Sequence, residues 1–164
     1  MGKIQSMEMV DITKTFPGVI ANQDVNLKVE SGEVLALLGE NGAGKTTLMN
    51  ILYGLYKPNG GKVLINGKEV NINSPQKALE LGIGMVHQHF MLVPSLTVTE
   101  NVALGIKFES KFSMNLDRVA ERIKELSKLH NMNIDPNLLI SDLSVGERQK
   151  VEIIKALYYE ANLL

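Results

Sequence analysis

The hydrophobic pattern of the chain changes twice, and each change marks a different kind of element. Residues 7–12 (MEMVDI) and 25–29 (VNLKV) alternate apolar and polar, as half-buried antiparallel strands do, and Pro17-Gly18 between them marks a turn. Residues 34–38 (VLALL) are continuously apolar, which predicts a strand buried on both faces. Helical spacing then takes over. A helix starting near Gly44 places Leu48, Ile51, Leu52 and Leu55 on one face, and KPNGG ends it. Residues 63–65 and 69–72 flank Asn66-Gly67, a hairpin turn. SPQKALELG predicts a short helix with Ser74 as cap, Pro75 in first position and Gly82 past its end. IGMVH, from Ile83, predicts another buried strand.

From residue 90 onward the pattern is helical. Thr97 and Glu100 form a capping-box pair before NVAL. Asn115 caps a helix whose apolar face is Leu116, Val119, Ile123, Leu126 and Leu129. Ser144 and Glu147 form a second capping box before Val151, Ile154 and Leu157. The expected organisation is one domain over 1–164, with a β subdomain and α/β core at about 1–89, a helical insertion at about 90–142, and a helix plus the start of a further strand at 143–164.

Composition narrows the class. The chain has 164 residues, 45% hydrophobic and 21% charged, the balance of one globular domain. A net charge of -1 gives no long-range attraction to nucleic acid or anionic lipid. Without cysteine there is neither disulfide nor thiolate metal site. His87, His89 and His130 lack the paired spacing of a metal site, and DRVAERIKELSK reads as the wet face of a helix. The N-terminus lacks the apolar core of a secretory signal, and VLALL is far too short to span a bilayer. A cytoplasmic protein that reaches any membrane through a partner is the simplest expectation.

The chemistry centres on LLGENGAGKTTL, residues 37–48, which fits G-x-x-x-x-G-K-[ST] between a predicted strand and a predicted helix. Gly39, Gly42 and Gly44 let the backbone turn tightly and aim its N–H groups at phosphate, and the helix N-terminus adds positive partial charge. Asn41 and Ala43 complete the loop. Lys45 is placed to bridge terminal phosphates, Thr46 to ligate magnesium, and Thr47 to donate to a phosphate oxygen.

GENGAGKTT at 39–47, VHQ at 86–88 and LSVGERQ at 143–149 occur in the order and spacing of ABC-type ATPases, and the chain resembles that family over essentially its whole length. The resemblance implies an α/β fold: a P-loop NTPase-type core with an N-terminal antiparallel β subdomain and a helical insertion. It implies ATP and Mg2+ as cofactors. It also implies that Gln88 senses the magnesium and the attacking water, beside Lys45 in the catalytic set. Ser144 and Gly146 match signature positions that touch the γ-phosphate held by the opposite subunit. Phe16 matches the aromatic that stacks on adenine. Unaided, Gln88 is a polar residue at a strand end, Ser144 a helix cap, and Phe16 an apolar residue at a hairpin tip. Met85 and Met91 flank Gln88, in a region that faces the membrane subunit in the family; core filler is the plainer reading.

Two departures matter. The signature has Val145 and Glu147 where the commonest form has glycine and glutamine. Glu147 suits the first turn of a helix but not the neighbourhood of a phosphate. Hydrolysis in the family further needs an apolar strand ending in aspartate and glutamate, and no such pair follows an apolar run in 1–164. The chain is therefore expected to be the front part of a longer protein, cut before that strand at ANLL, with apolar surface and unpaired edges exposed.

HQHFMLVPSLTVTENV is similar to the branch that energises uptake of simple sugars and nucleosides. The expected partners are transmembrane permease subunits, an extracytoplasmic solute-binding protein through the full complex, and a second ABC domain head to tail, with no nucleic acid. The expected place is the cytoplasmic face of the cell membrane. The alternatives are a non-hydrolytic nucleotide-binding and dimerisation module, or an ABC ATPase with no membrane partner.

Overall fold

A computed structural model describes residues 3–88, 90–105 and 115–164. The chain forms two compact units: one covers residues 1–84 with Leu163, the other 85–162 with Leu164.

The first unit is built on the predicted hairpins. Strands β1 (Ser6–Phe16) and β2 (Val19–Glu30) pair antiparallel around Pro17-Gly18. Strands β3 (Gly60–Ile65) and β4 (Lys68–Val70) pair around Asn66 and Gly67, both at positive φ as a tight hairpin requires. The sheet order is β2–β1–β3–β4. Register breaks between Met9 and Ile12, where Asp11 takes a φ of 52° and its N–H donates to Asn26 Oδ1 at 3.0 Å. That bulge brings the Asp11 and Val10 carbonyls within 2.5 Å of where a Cβ on Gly61 would stand, so β3 must carry glycine there. Met7, Met9, Ile12, Val63 and Ile65 supply the sheet's share of the core; Leu48, Ile51 and Leu52 of helix α1 (Lys45–Leu52) supply the helical share. Helix α2 (Pro75–Glu80) starts as predicted: the Ser74 hydroxyl accepts from the Lys77 N–H and Pro75 occupies the first position.

Three expectations fail here. Residues 34–38 form no strand: Val34 is 96% exposed and Leu38 89%. A strand needs a hydrogen-bonded neighbour along its edge, and one buried on both faces also needs layers packed above and below it. Among the described residues none pairs with this segment. The stretch after Gly82 is likewise reduced to one parallel bridge, Ile83 to Leu163, with Gly84 N–H donating to Leu163 O and Leu163 N–H to Gly82 O. Leu55, expected on the face of α1, lies outside it and is half exposed, because Gly54 at φ 78° turns the chain against the Ser74 backbone.

The second unit is helical. Helices α3 (Val98–Ala103), α4 (Leu116–Leu129) and α5 (Val145–Tyr158) share a core of Val98, Val102, Val119, Ile123, Leu126, Ile140, Val151 and Ile154. All three caps follow the predicted chemistry: Thr97 and Ser144 make full capping boxes with Glu100 and Glu147, and Asn115 accepts from the Arg118 N–H. Leu129 is 73% exposed and Leu116 sits at the margin of the buried face. At 100° per residue Leu129 lies about 90° from the centre of the stripe made by Val119, Ile123 and Leu126, so it turns to solvent. No helix among the described residues is long and apolar enough to cross a membrane.

Candidate functional site

The phosphate loop is shaped by contact with β2. Gly44 is the N-cap of α1 at φ 83°. A Cβ there would stand 2.1 Å from the Ala21 carbonyl oxygen and 2.7 Å from Asn22 Nδ2. Glycine is thus required twice over, by conformation and by space. The Gly44 carbonyl accepts from Leu48 N–H at 2.9 Å and from Asn22 Nδ2 at 3.3 Å, which pins the first turn of the helix to the sheet. Asn22 is buried, and its Oδ1 has no hydrogen-bond partner.

No side chain caps α1 and its first turn carries no acid. The free N–H groups and positive dipole end of such a helix form a seat for an anion. Gly42 at φ 86° turns the loop above it, and a Cβ there would meet nothing within 4 Å, so its constraint is conformational only. Lys45 Nζ donates to the Gly39 and Glu40 carbonyls, each at 2.7 Å. Two of the ammonium's three donors thus hold it inside the loop's own curve. Asn41, Gly42, Ala43 and Thr46 are exposed, and Thr47 is half-buried.

Phe16 lies at the hairpin tip opposite Val19. It is 38% exposed. Ala21, which abuts Gly44, is two residues along β2 from Val19, about 7 Å at the rise of a strand. The first unit therefore brings an accessible aromatic ring and the phosphate loop to one end of the same strand. The fold adds Tyr56, which no motif singles out: its ring meets Phe16 edge-on with centroids 5.5 Å apart. Lys14 Nζ lies 5.2 Å from the Phe16 centroid and donates to Lys57 O at 2.7 Å. Tyr56 follows Gly54, whose turn delivers it to the hairpin, and that delivery is a tertiary event.

The second unit holds the other sequence-predicted positions. Gln88 is exposed at a bend before α3. Ser144 caps α5: Glu147 Oε2 accepts from its N–H at 2.8 Å and from its hydroxyl at 2.7 Å, and Ser144 Oγ accepts from Glu147 N–H. The Ser144 side chain first, then its backbone N–H, holds the Glu147 carboxyl below the usual carboxylate range. The unusual Glu147 therefore works as a cap. Gly146 is exposed, and a Cβ on it would meet nothing within 4 Å, so the chain's own packing does not demand glycine there.

A buried strap of polar contacts supports this unit and carries no sequence motif. Asn101, fully buried, accepts from Val93 N–H at 2.7 Å and donates to the Val93, Leu96 and Thr97 carbonyls. Glu152 on α5, 3% exposed, accepts from Met91 N–H at 2.7 Å.

A glycine-shaped loop before a short uncapped helix, and a capped helix in a second, helical unit, stand where the resemblance to ABC-type ATPases puts them. The ABC transporter family model matches residues 22–164, and the chain belongs to that family. It is 52% identical over 158 residues to the nucleoside import ATP-binding protein NupA of Lactococcus lactis subsp. cremoris, covering 96% of this chain and 31% of that one. It is 50% identical over 159 residues to the guanosine import ATP-binding protein NupO of Bacillus subtilis, with the same coverage. The ribose import ATP-binding protein RbsA of Clostridium perfringens is 45% identical, over 96% of this chain and 32% of its own length. The chain thus spans about a third of the length of these curated relatives. Among solved structures, a dimeric bacterial ABC transporter cassette superposes with a TM-score of 0.73 at 30% identity, over 96% of this chain and 70% of the other. A nucleotide-free cassette superposes with a TM-score of 0.80 at 24% identity, over 98% and 66%, which speaks to the fold alone.

Proposed function

We propose that this chain is the nucleotide-binding front of an ATP-binding subunit that energises import of nucleosides or simple sugars across a membrane. The observation that carries the proposal is the phosphate loop: Gly44 locked against Ala21 and Asn22, an uncapped α1 N-terminus, and Lys45 folded over the loop. ATP fits this site by its chemistry. The polyphosphate meets the α1 N–H groups and Lys45, Thr47 donates to it, and the adenine stacks on Phe16. Thr46, exposed in the first turn of α1, would ligate magnesium, which would supply charge neutralisation at the terminal phosphates; the family resemblance alone assigns Gln88 to the same ion. Ser144 and Gly146 serve a nucleotide held by a second domain, paired head to tail. The strong similarity to nucleoside-import proteins supports the choice of solute class over other transport cargoes. Permease subunits and an extracytoplasmic solute-binding protein complete the assembly, which places the chain on the cytoplasmic face of the membrane.

Within this reading the 164-residue chain binds nucleotide weakly and does not turn it over, since it offers no aspartate–glutamate pair after an apolar strand. Parallel measurement of ATP binding and phosphate release tests both halves. The expected result is binding that Lys45→Ala weakens by about tenfold or more, the worth of a charge-assisted contact, with no phosphate release. Release that Lys45→Ala abolishes would refute the second half.

A further inference from the structure

A carboxylate in a helical core is expensive, and the neighbours of Glu152 on the same helix, Val151 and Ile154, show that apolar side chains fill this core well. Glu152 is as buried as they are, at 3% exposure. What the carboxylate does that an apolar side chain could not is accept the Met91 N–H at 2.7 Å. Met91 itself is 66% exposed, so its backbone is anchored while its side chain is presented to the outside. Residues 91–97 have no helix or strand to hold them. Met91 is held by Glu152 from α5, Val93 and Leu96 by Asn101 from α3, and Pro94, Leu96 and Thr97 by the backbone of Leu139, Ile140 and Ser141. On α5, Glu152 lies eight residues from the cap Ser144, about 12 Å along one stiff rod.

We propose that Glu152 is a positioning residue that ties the segment following Gln88 to the signature helix, so that displacement of Ser144 is passed through α5 to the Met91 surface. The inference rests on the reading of Ser144 as a contact to nucleotide held by a second domain. It adds the side chain through which that contact reaches the outward-facing segment. The coupling is mechanical: a two-turn stretch of helix and one hydrogen bond that its carboxylate accepts from the Met91 backbone, which belongs to no helix or strand.

Two measurements test it. The first needs no transport. Backbone amide exchange at Met91 in this chain should rise about tenfold or more in Glu152→Met, which keeps volume and removes the acceptor, and far less in Glu152→Gln, which keeps an acceptor. Unchanged exchange in Glu152→Met overturns the anchor. The second uses the complete transporter in proteoliposomes and reads nucleoside taken up per ATP hydrolysed. That ratio should fall by about two- to thirtyfold in Glu152→Met, the range of mutations along a coupling route. Hydrolysis itself should stay within about twofold, and Glu152→Gln should restore the ratio. Met91→Pro, which deletes the donor and leaves Glu152 in place, should reproduce the defect and stands in if Glu152→Met does not fold. An unaltered ratio, or uptake and hydrolysis lost in proportion, overturns the inference. A wild-type complex that neither hydrolyses ATP nor moves nucleoside refutes the transport reading instead, while the exchange measurement still judges the anchor.

Discussion

Gly44 shows most sharply how a single residue can be required by two independent constraints. Its φ of 83° disfavours any Cβ, and the Ala21 carbonyl occupies the place where a Cβ would go. Gly44→Ala must therefore either shift β2 or tilt the first turn of α1, and the second response misaims the N–H groups proposed to seat phosphate. The left-handed conformation alone costs about 1–2 kcal/mol. ATP affinity should fall by about tenfold or more, and the midpoint of thermal unfolding should drop with it. Gly42→Ala meets open space and should do less harm. Comparing the two by calorimetric titration separates collision from conformation. The sequence supplied every residue of this loop, because the motif is contiguous. It could not supply Asn22 or Tyr56, which reach the site only because β2 and the Gly54 turn bring them there.

At the scale of elements, the helices were legible and their caps especially so. A capping box needs two residues three apart and nothing from the rest of the fold, so Thr97 with Glu100 and Ser144 with Glu147 could be read directly. The same boxes set a pH dependence. Thr97, through its backbone N–H first and then its hydroxyl, holds the Glu100 carboxyl below its ordinary 4.5, as Ser144 does for Glu147. Because the folded values are depressed, the unfolded chain binds more protons near pH 4 and stability rises with pH there. The contribution is complete above about 4.5 and is lost as pH falls through the lowered folded values. Thermal midpoints measured against pH should show this acid loss. Glu147→Gln, which keeps a capping acceptor without the charge, should remove the share due to α5. Boundaries that depend on packing were less legible: Leu129 fits a helical pattern yet faces solvent, and Leu55 lies past a glycine turn made against Ser74.

For the whole molecule, residues 34–38 are the decisive segment. Their apolar run reads as a central strand, yet Val34 and Leu38 lie in water and nothing among the described residues pairs with them. An exposed apolar segment with unpaired backbone groups is a template for association. The chain alone should bind a hydrophobic dye and self-associate with concentration in sedimentation velocity. Val34→Lys with Leu38→Lys should reduce both. A wild-type chain that stays monomeric at all concentrations and unfolds in one transition would count against the expectation. What the sequence by itself determined is local chemistry: the phosphate loop, the hairpin turns, the caps, and the family they mark together. Each of these depends on residues a few positions apart, whose geometry the backbone fixes. The tertiary structure decided which apolar residues are covered, that Asn22 and Tyr56 stand beside the loop and the hairpin tip, and that Glu152 reaches Met91 from sixty-one positions away. Burial and long-range hydrogen bonds depend on which surfaces meet, and no local pattern encodes that.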